Sequence, residues 1–250
     1  MAIDRDASDP HTDRELRIAR DVQRRLLPQA APVLESLELA ARCIHARSVG
    51  GDYYDFLELG PRSTGFVLAD VSGKGFHAAL LMASLQAHLR SQCSAAPGDP
   101  LRVLRQVNHM LWQWTDPGHF ATLFLGVWAD ASRKLSYVNC GHNPPLCLRT
   151  GGEVEALAAT ATVLGAFEHW ECSLGRTRLA PGDLLVAYSD GITEAMRSGE
   201  TFGEERLLAA LRGHAARTPE EIVAAVLADV QRFTDGEQSD DLTLLVARAR

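Results

Sequence analysis

The chain has 250 residues, 46% of them hydrophobic, enough for one sizeable core, and no low-complexity or linker segment divides it. Its 25 basic and 32 acidic residues leave a formal charge of −7, which argues against a general nucleic-acid-binding surface. No charged-then-apolar leader opens the sequence and no apolar run approaches the ~18 residues needed to cross a bilayer, so no membrane segment is expected and a cytoplasmic protein is the simplest reading. The cysteines, Cys43, Cys93, Cys140, Cys147 and Cys172, are odd in number and form no C-x-x-C pair, as expected of reduced core residues.

Residues 1–12 are polar and lack periodicity, and a mobile tail is expected there. From about Asp13 to Leu27, apolar residues recur at Leu16, Ala19, Val22 and Leu26, a helical stripe that Pro28 ends. Residues 13–28 are therefore assigned to an N-terminal packing or regulatory helix and residues 29–250 to one domain. Leu37, Leu39, Ala41 and Cys43 alternate with polar neighbours, and strands follow at 53–59 and 65–71. The period turns helical over 76–93 and 100–114. Strands resume at 121–129, 135–140, 172–179, 184–189 and 242–248, with helices at about 204–212 and 219–233. Long-range β pairing with helices in two blocks predicts an α+β fold.

Four carboxylates stand where a strand gives out: Asp52 after Gly50-Gly51, Asp70 before Val71-Ser72-Gly73-Lys74-Gly75, Asp190 in Ser189-Asp190-Gly191, and Asp240 in Ser239-Asp240-Asp241. Hard divalent cations take oxygen ligands, and a strand holds such a carboxylate rigidly while it projects outward. Taken alone, Gly51-Asp52 reads better as an ordinary turn and Asp240-Asp241 equally well as a capping or solubilising pair; the recurrence points to a metal site. The Asp70 segment also supplies a glycine turn, a helix N-terminus and Lys74, a combination suited to a metal-bound phosphate. It fails as a nucleotide P-loop, because Gly75 follows Gly-Lys and Leu68 occupies the first glycine position. His142, in Gly141-His142-Asn143-Pro144-Pro145, is read as a turn residue bonding to backbone in preference to a general acid.

Taken in order, Val22-Gln23-Arg24-Arg25-Leu26-Leu27-Pro28, Gly50-Gly51-Asp52-Tyr53-Tyr54-Asp55, Asp70-Val71-Ser72-Gly73-Lys74-Gly75, the Gly141 to Pro145 loop, Pro181-Gly182-Asp183, Ser189-Asp190-Gly191-Ile192-Thr193-Glu194 and Asp240-Asp241-Leu242-Thr243 resemble the PPM-type metal-dependent protein serine/threonine phosphatases of the SpoIIE/RsbU-like bacterial branch. The resemblance runs from about Ile18 to Val246. It implies an αββα sandwich of two antiparallel sheets flanked by helix pairs, and a centre of two Mn²⁺ or Mg²⁺ ions at one edge. Asp70 would bridge the ions with the Val71 carbonyl as a further ligand, Asp52 would serve one ion, and Asp190 and Asp240 the other. These four aspartates are also the implied catalytic residues, and Asp241 would support the ligands from outside. Ions about 3.5–4 Å apart make water reactive near neutral pH and hold phosphate for in-line attack. Ser72 stands where eukaryotic relatives carry histidine, which leaves the general acid open. Lys74 and Arg47 are the candidates for contacting substrate phosphate.

The resemblance further implies a phosphorylated protein substrate, an anti-sigma factor antagonist, with no nucleic-acid or membrane partner. The apolar stripe of helix 13–27 is expected to pack on the core, to meet a regulatory partner or to form a homodimer. A catalytically silent relative that binds a phosphoprotein, and a hydrolase of small phosphate esters, are the alternatives; four carboxylates held against mutual repulsion favour the enzyme.

Overall fold

Apolar runs that are continuous rather than strictly alternating need cover on both faces, and the strands here have it. This computed structural model describes residues 10–60 and 62–250. In chain order the elements are α1 (Pro10–Leu26), β1 (Leu37–Ile44), β2 (Asp52–Glu58), β3 (Ser63–Val71), α2 (Phe76–Ala95), α3 (Pro100–Trp114), β4 (Ala121–Ala129), β5 (Lys134–Cys140), β6 (Leu146–Leu148), β7 (Val154–Ala156), β8 (Gly175–Arg178), β9 (Leu184–Tyr188), α4 (Asp190–Thr193), β10 (Met196–Arg197), β11 (Glu200–Thr201), α5 (Gly203–His214), α6 (Pro219–Phe233) and β12 (Leu242–Ala249). One five-stranded sheet runs β1-β12-β9-β6-β7 and the other β2-β3-β4-β5-β8, with antiparallel pairing throughout both. The α+β expectation and the stacked sheets flanked by helices are both observed.

Side-chain alternation fixes the layers. In β3, Phe66 and Leu68 enter the core between the sheets with Phe124, Trp128, Leu185 and Leu245, while Val67, Ala69 and Val71 turn toward α2 and α3. In β12, Leu245 and Ala247 face the opposite sheet while Leu244 and Val246 meet α5 and α6. Burying each large side chain of this kind contributes about 1.5–3 kcal/mol. The helices are stopped and started by local chemistry. Asp99 caps α3 by accepting from the Arg102 N–H at 3.0 Å, with Pro100 in the first turn, and Thr218 and Glu221 form a reciprocal capping box at α6. Asp55, fully buried in β2, is gripped by the Arg90 guanidinium of α2 and by the Tyr53 hydroxyl, which fastens that helix to its sheet.

Several boundaries differ from the sequence reading. Residues 1–9 of the expected tail lie outside the described residues, and Pro10–Thr12 already belong to α1. Val22, placed on the packing stripe, is 55% exposed and Gln23 is buried in its place, while Leu16, Ala19 and Leu26 of the stripe are half-buried. The strand expected at 172–179 shrinks to Gly175–Arg178, and β6, β7, β10 and β11 are additional. All five cysteines are free, and burial pushes the Cys93 thiol up to about 11 and Cys147 to about 12, away from reactivity at neutral pH. No helix among the described residues is long and apolar enough to cross a membrane.

Candidate metal centre

Strand direction brings the four aspartates to one end of the sandwich. β2 begins at Asp52 and β3 ends at Asp70–Val71, and in their antiparallel register Asp52 and Asp70 are direct partners. In the other sheet, β9 ends just before Ser189–Asp190, and β12 begins just after Asp240–Asp241. Like charges placed opposite each other across a strand pair oppose folding, so this register costs stability unless something positive answers it.

The electrostatics carry that cost. Asp70, half-buried, has its carboxyl pushed up to about 7, first by burial and then by Asp190, Asp240 and Asp241. Burial raises Asp52 well above the carboxylate range, helped by Asp70 and Asp241, and it raises Asp190, helped by Glu194 and Asp240. Asp241 moves the other way. Although burial opposes it, His45 Nδ1 at 3.1 Å and the Ala46 N–H at 2.8 Å hold its carboxyl below the usual range.

The loops approach one another because glycine permits it. A Cβ on Gly51 would lie 2.7 Å from the Val71 carbonyl oxygen and 3.3 Å from Asp70 Oδ1, and one on Gly191 would lie 2.1 Å from the Asp241 carbonyl oxygen. Asp52 is 2% exposed, and its Oδ2 accepts from the Thr243 hydroxyl, a bond that joins the two sheets at this end. Lys74 crosses from the β3–α2 loop to donate to Asp240 Oδ2 at 2.6 Å and to the Ser239 carbonyl at 3.3 Å. Lys74 and Arg47 line one cleft with Gly51, Asp70, Asp240 and Asp241.

Asp70, Asp190 and Asp240 are thus electrostatically coupled and Asp52 is coupled to Asp70, while among the described residues no three His, Cys, Asp or Glu side chains close into a finished metal shell. Lys74 draws Asp240 aside and Thr243 retains Asp52. The donor set still fits a hard cation. It consists of oxygen, its carboxylates resist ionising together, and the glycine cradle leaves the Val71 carbonyl and Asp70 side by side. His142 is 4% exposed, with its N–H on Asn139 Oδ1 and its Nδ1 2.8 Å from Thr122 Oγ1. Burial depresses it to about 4, so it is a neutral structural residue.

Three participants have no role assigned to them in the sequence reading. Gln23 of α1 donates to the Gly50 carbonyl at 2.7 Å and accepts from the Gly50 N–H at 3.1 Å, clasping the loop that carries Asp52. His45 orients Asp241, and Thr243 holds Asp52. The available signals were the motifs that contain Gln23 and Thr243, and the place of Thr243 on the inward-facing side of β12 with Leu245 and Ala247.

The SpoIIE family model, described as Stage II sporulation protein E, matches residues 60–250. The chain is 31% identical over 260 residues to protein IcfG of Synechocystis sp., covering 92% of this chain and 41% of IcfG. It is 28% identical over 237 residues to the phosphoserine phosphatase RsbU of Bacillus subtilis, covering 94% of this chain and 70% of RsbU. The chain therefore spans less than half the length of the first of these relatives. Among solved structures, the SiaA-PP2C domain of Pseudomonas aeruginosa shares the fold at a TM-score of 0.85 and 22% identity, over 97% of this chain and 98% of that one. The catalytic domain of the serine/threonine protein phosphatase PstP, solved with two manganese ions, shares it at 0.64 and 21%, over 86% and 98%. The matched span covers most of the chain, and the two stacked antiparallel sheets with their acidic end agree with it: this chain belongs to the SpoIIE family.

Proposed function

We propose that the chain is a metal-dependent protein serine/threonine phosphatase acting on phosphoserine or phosphothreonine of a regulatory protein. The observation that carries the reading is the delivery of Asp52, Asp70, Asp190 and Asp240 from four separate segments to one end of the sandwich, where burial and then neighbouring carboxylates raise the proton affinity of Asp52, Asp70 and Asp190. Asp70, Asp52, Asp190, Asp240 and the Val71 carbonyl are the proposed ligands of two Mn²⁺ or Mg²⁺ ions. Bound there, such ions would supply the positive charge that makes water nucleophilic near neutral pH and that offsets the charge of the phosphoryl group.

The remaining work falls to the chain. β2 and β3 fix Asp52 and Asp70 in register, and Gly51 keeps the cleft floor free of side chain. Asp241, ionised and held by His45, Ala46 and the Asp52 N–H, stiffens the loop bearing Asp240. Lys74 and Arg47 are the cations facing the cleft, and a phosphate dianion would compete with Asp240 for Lys74. By likeness to RsbU, the substrate class is a phosphorylated anti-sigma factor antagonist. The exposed Ile18 and Val22 of α1 are the face offered to a regulatory partner or a second copy.

The test is hydrolysis of an aryl phosphate and a phosphoserine peptide with and without Mn²⁺, repeated on Asp70→Asn and Asp190→Asn. Loss of turnover with chelator and in both variants is expected; turnover that needs no metal would overturn the reading.

A further inference from the structure

The loop that carries Asp70 does not end at the cleft. Ser72 donates its N–H to the Phe120 carbonyl at 2.9 Å, and its Oγ accepts from the Phe120 N–H at 2.9 Å, so the segment between α3 and β4 is laced to the metal loop two residues beyond Asp70. The His119 ring next to Phe120 packs on His77 of α2 with centroids 4.1 Å apart. On α2, His77 lies between Phe76 and Leu80, which stand one turn apart on the same face. Phe76 is 51% exposed, Leu80 71% and Phe120 37%. Single exposed apolar residues need no explanation, whereas a connected group bordering a reactive cleft marks a binding surface. None of these five side chains bears a carboxylate, in contrast to the acidic cleft beside them.

We infer that Phe76, His77, Leu80, His119 and Phe120 form a shelf on which the phosphoprotein substrate docks, and that the shelf selects a segment with apolar side chains beside its phosphoserine. The inference rests on the phosphatase reading of the adjoining cleft. The occupant follows from continuity: Gly73, Lys74 and Gly75 line the cleft with Asp70, and Phe76 and Leu80 follow on the same segment, so the residues flanking a phosphoserine at Asp70 come within reach of the shelf. A free aryl phosphate occupies the cleft alone and never touches the shelf. Discrimination between flanking sequences therefore belongs to the shelf, and turnover of the small ester to the cleft.

Two phosphoserine peptides, identical except for leucine or serine at both flanking positions, separate these contributions when compared with p-nitrophenyl phosphate in Mn²⁺. Covering one or two apolar side chains predicts a kcat/KM about tenfold higher for the leucine peptide. Leu80→Ser and Phe120→Ser are expected to bring the ratio toward one while the aryl phosphate rate changes less than about twofold, and circular dichroism melts verify that each variant folds. A wild-type ratio near one, or a ratio that survives both variants while the aryl phosphate is still hydrolysed, would overturn the shelf. A variant that halves the mass in solution with peptide selectivity intact would assign the face to contact between copies and overturn it equally. Absence of metal-dependent turnover on all three substrates would instead bring down the phosphatase reading beneath it.

Discussion

Asp70 is the residue at which charge and geometry conflict most. Without metal its carboxyl sits near 7 in the folded chain against about 3.9 when unfolded, so the folded state binds the extra proton between those values and loses stability as pH rises through them. In metal-free buffer, Asp70→Asn is therefore expected to gain stability over the native protein by an amount that is small near pH 4 and grows up to about pH 7. Taking the difference between the two proteins removes the opposite slope contributed by His142, which burial holds neutral. Urea titrations across that range check it, and a pH-independent difference would contradict it. Gly51→Ala places a methyl group against the Val71 backbone, and a loss of about 1–3 kcal/mol is expected together with weaker Mn²⁺ binding by calorimetry. The four aspartates were legible because each borders an apolar run, Asp70 and Asp190 at its end and Asp52 and Asp240 before its start. Gln23, His45 and Thr243 were not, since their partners lie 27, 196 and 191 residues away and only the fold brings them near.

Among the elements, α1 is tied to the site through one side chain. Gln23→Ala removes both bonds to Gly50 and strands a buried N–H and carbonyl, at a cost of about 1–3 kcal/mol. Because α1 lies at the edge of the fold, the expected result is faster amide exchange in α1 and in residues 49–52, with the sheet strands still protected. Val22, in contrast, points outward. If α1 pairs with a partner copy, Val22→Asp lowers the solution mass and changes the phosphatase rate; unchanged values for both would remove that reading. The apolar period located α1 but not its inward face, because a period of 3.6 tolerates a rotation that turns Gln23 inward in place of Val22. β6, β7, β10 and β11 escaped because two or three residues are too few to express a period of two. Asp190-Gly191, which has the composition of a turn, instead forms the helical turn α4.

At the scale of the whole molecule, the layers were readable from continuous apolar strands and two blocks of helices, but the strand order was not, since β12 from the end of the chain inserts between β1 and β9. The unfavourable acidic end predicts a large response to cations. Mn²⁺ at a hundred times its dissociation constant is expected to stabilise the fold by about 2.7 kcal/mol per site, raising Tm by about 5–10 °C in a chain of this size, as differential scanning fluorimetry would register. Calcium or magnesium at equal saturation would raise it too; sodium at equal ionic strength would not.

The carboxylates come in pairs, two from each sheet, and at the opposite rim Ser36 leads into β1 of one sheet while bonding Asp130 and Trp128 of the other. The two sheets are thus hydrogen-bonded to each other at both rims, through Ser36 at one and through Thr243 and Asp52 at the other. The spacing between them is set by the aromatic side chains packed in the middle layer, so trimming Phe66 or Phe124 is expected to loosen the acidic end without touching any of its carboxylates.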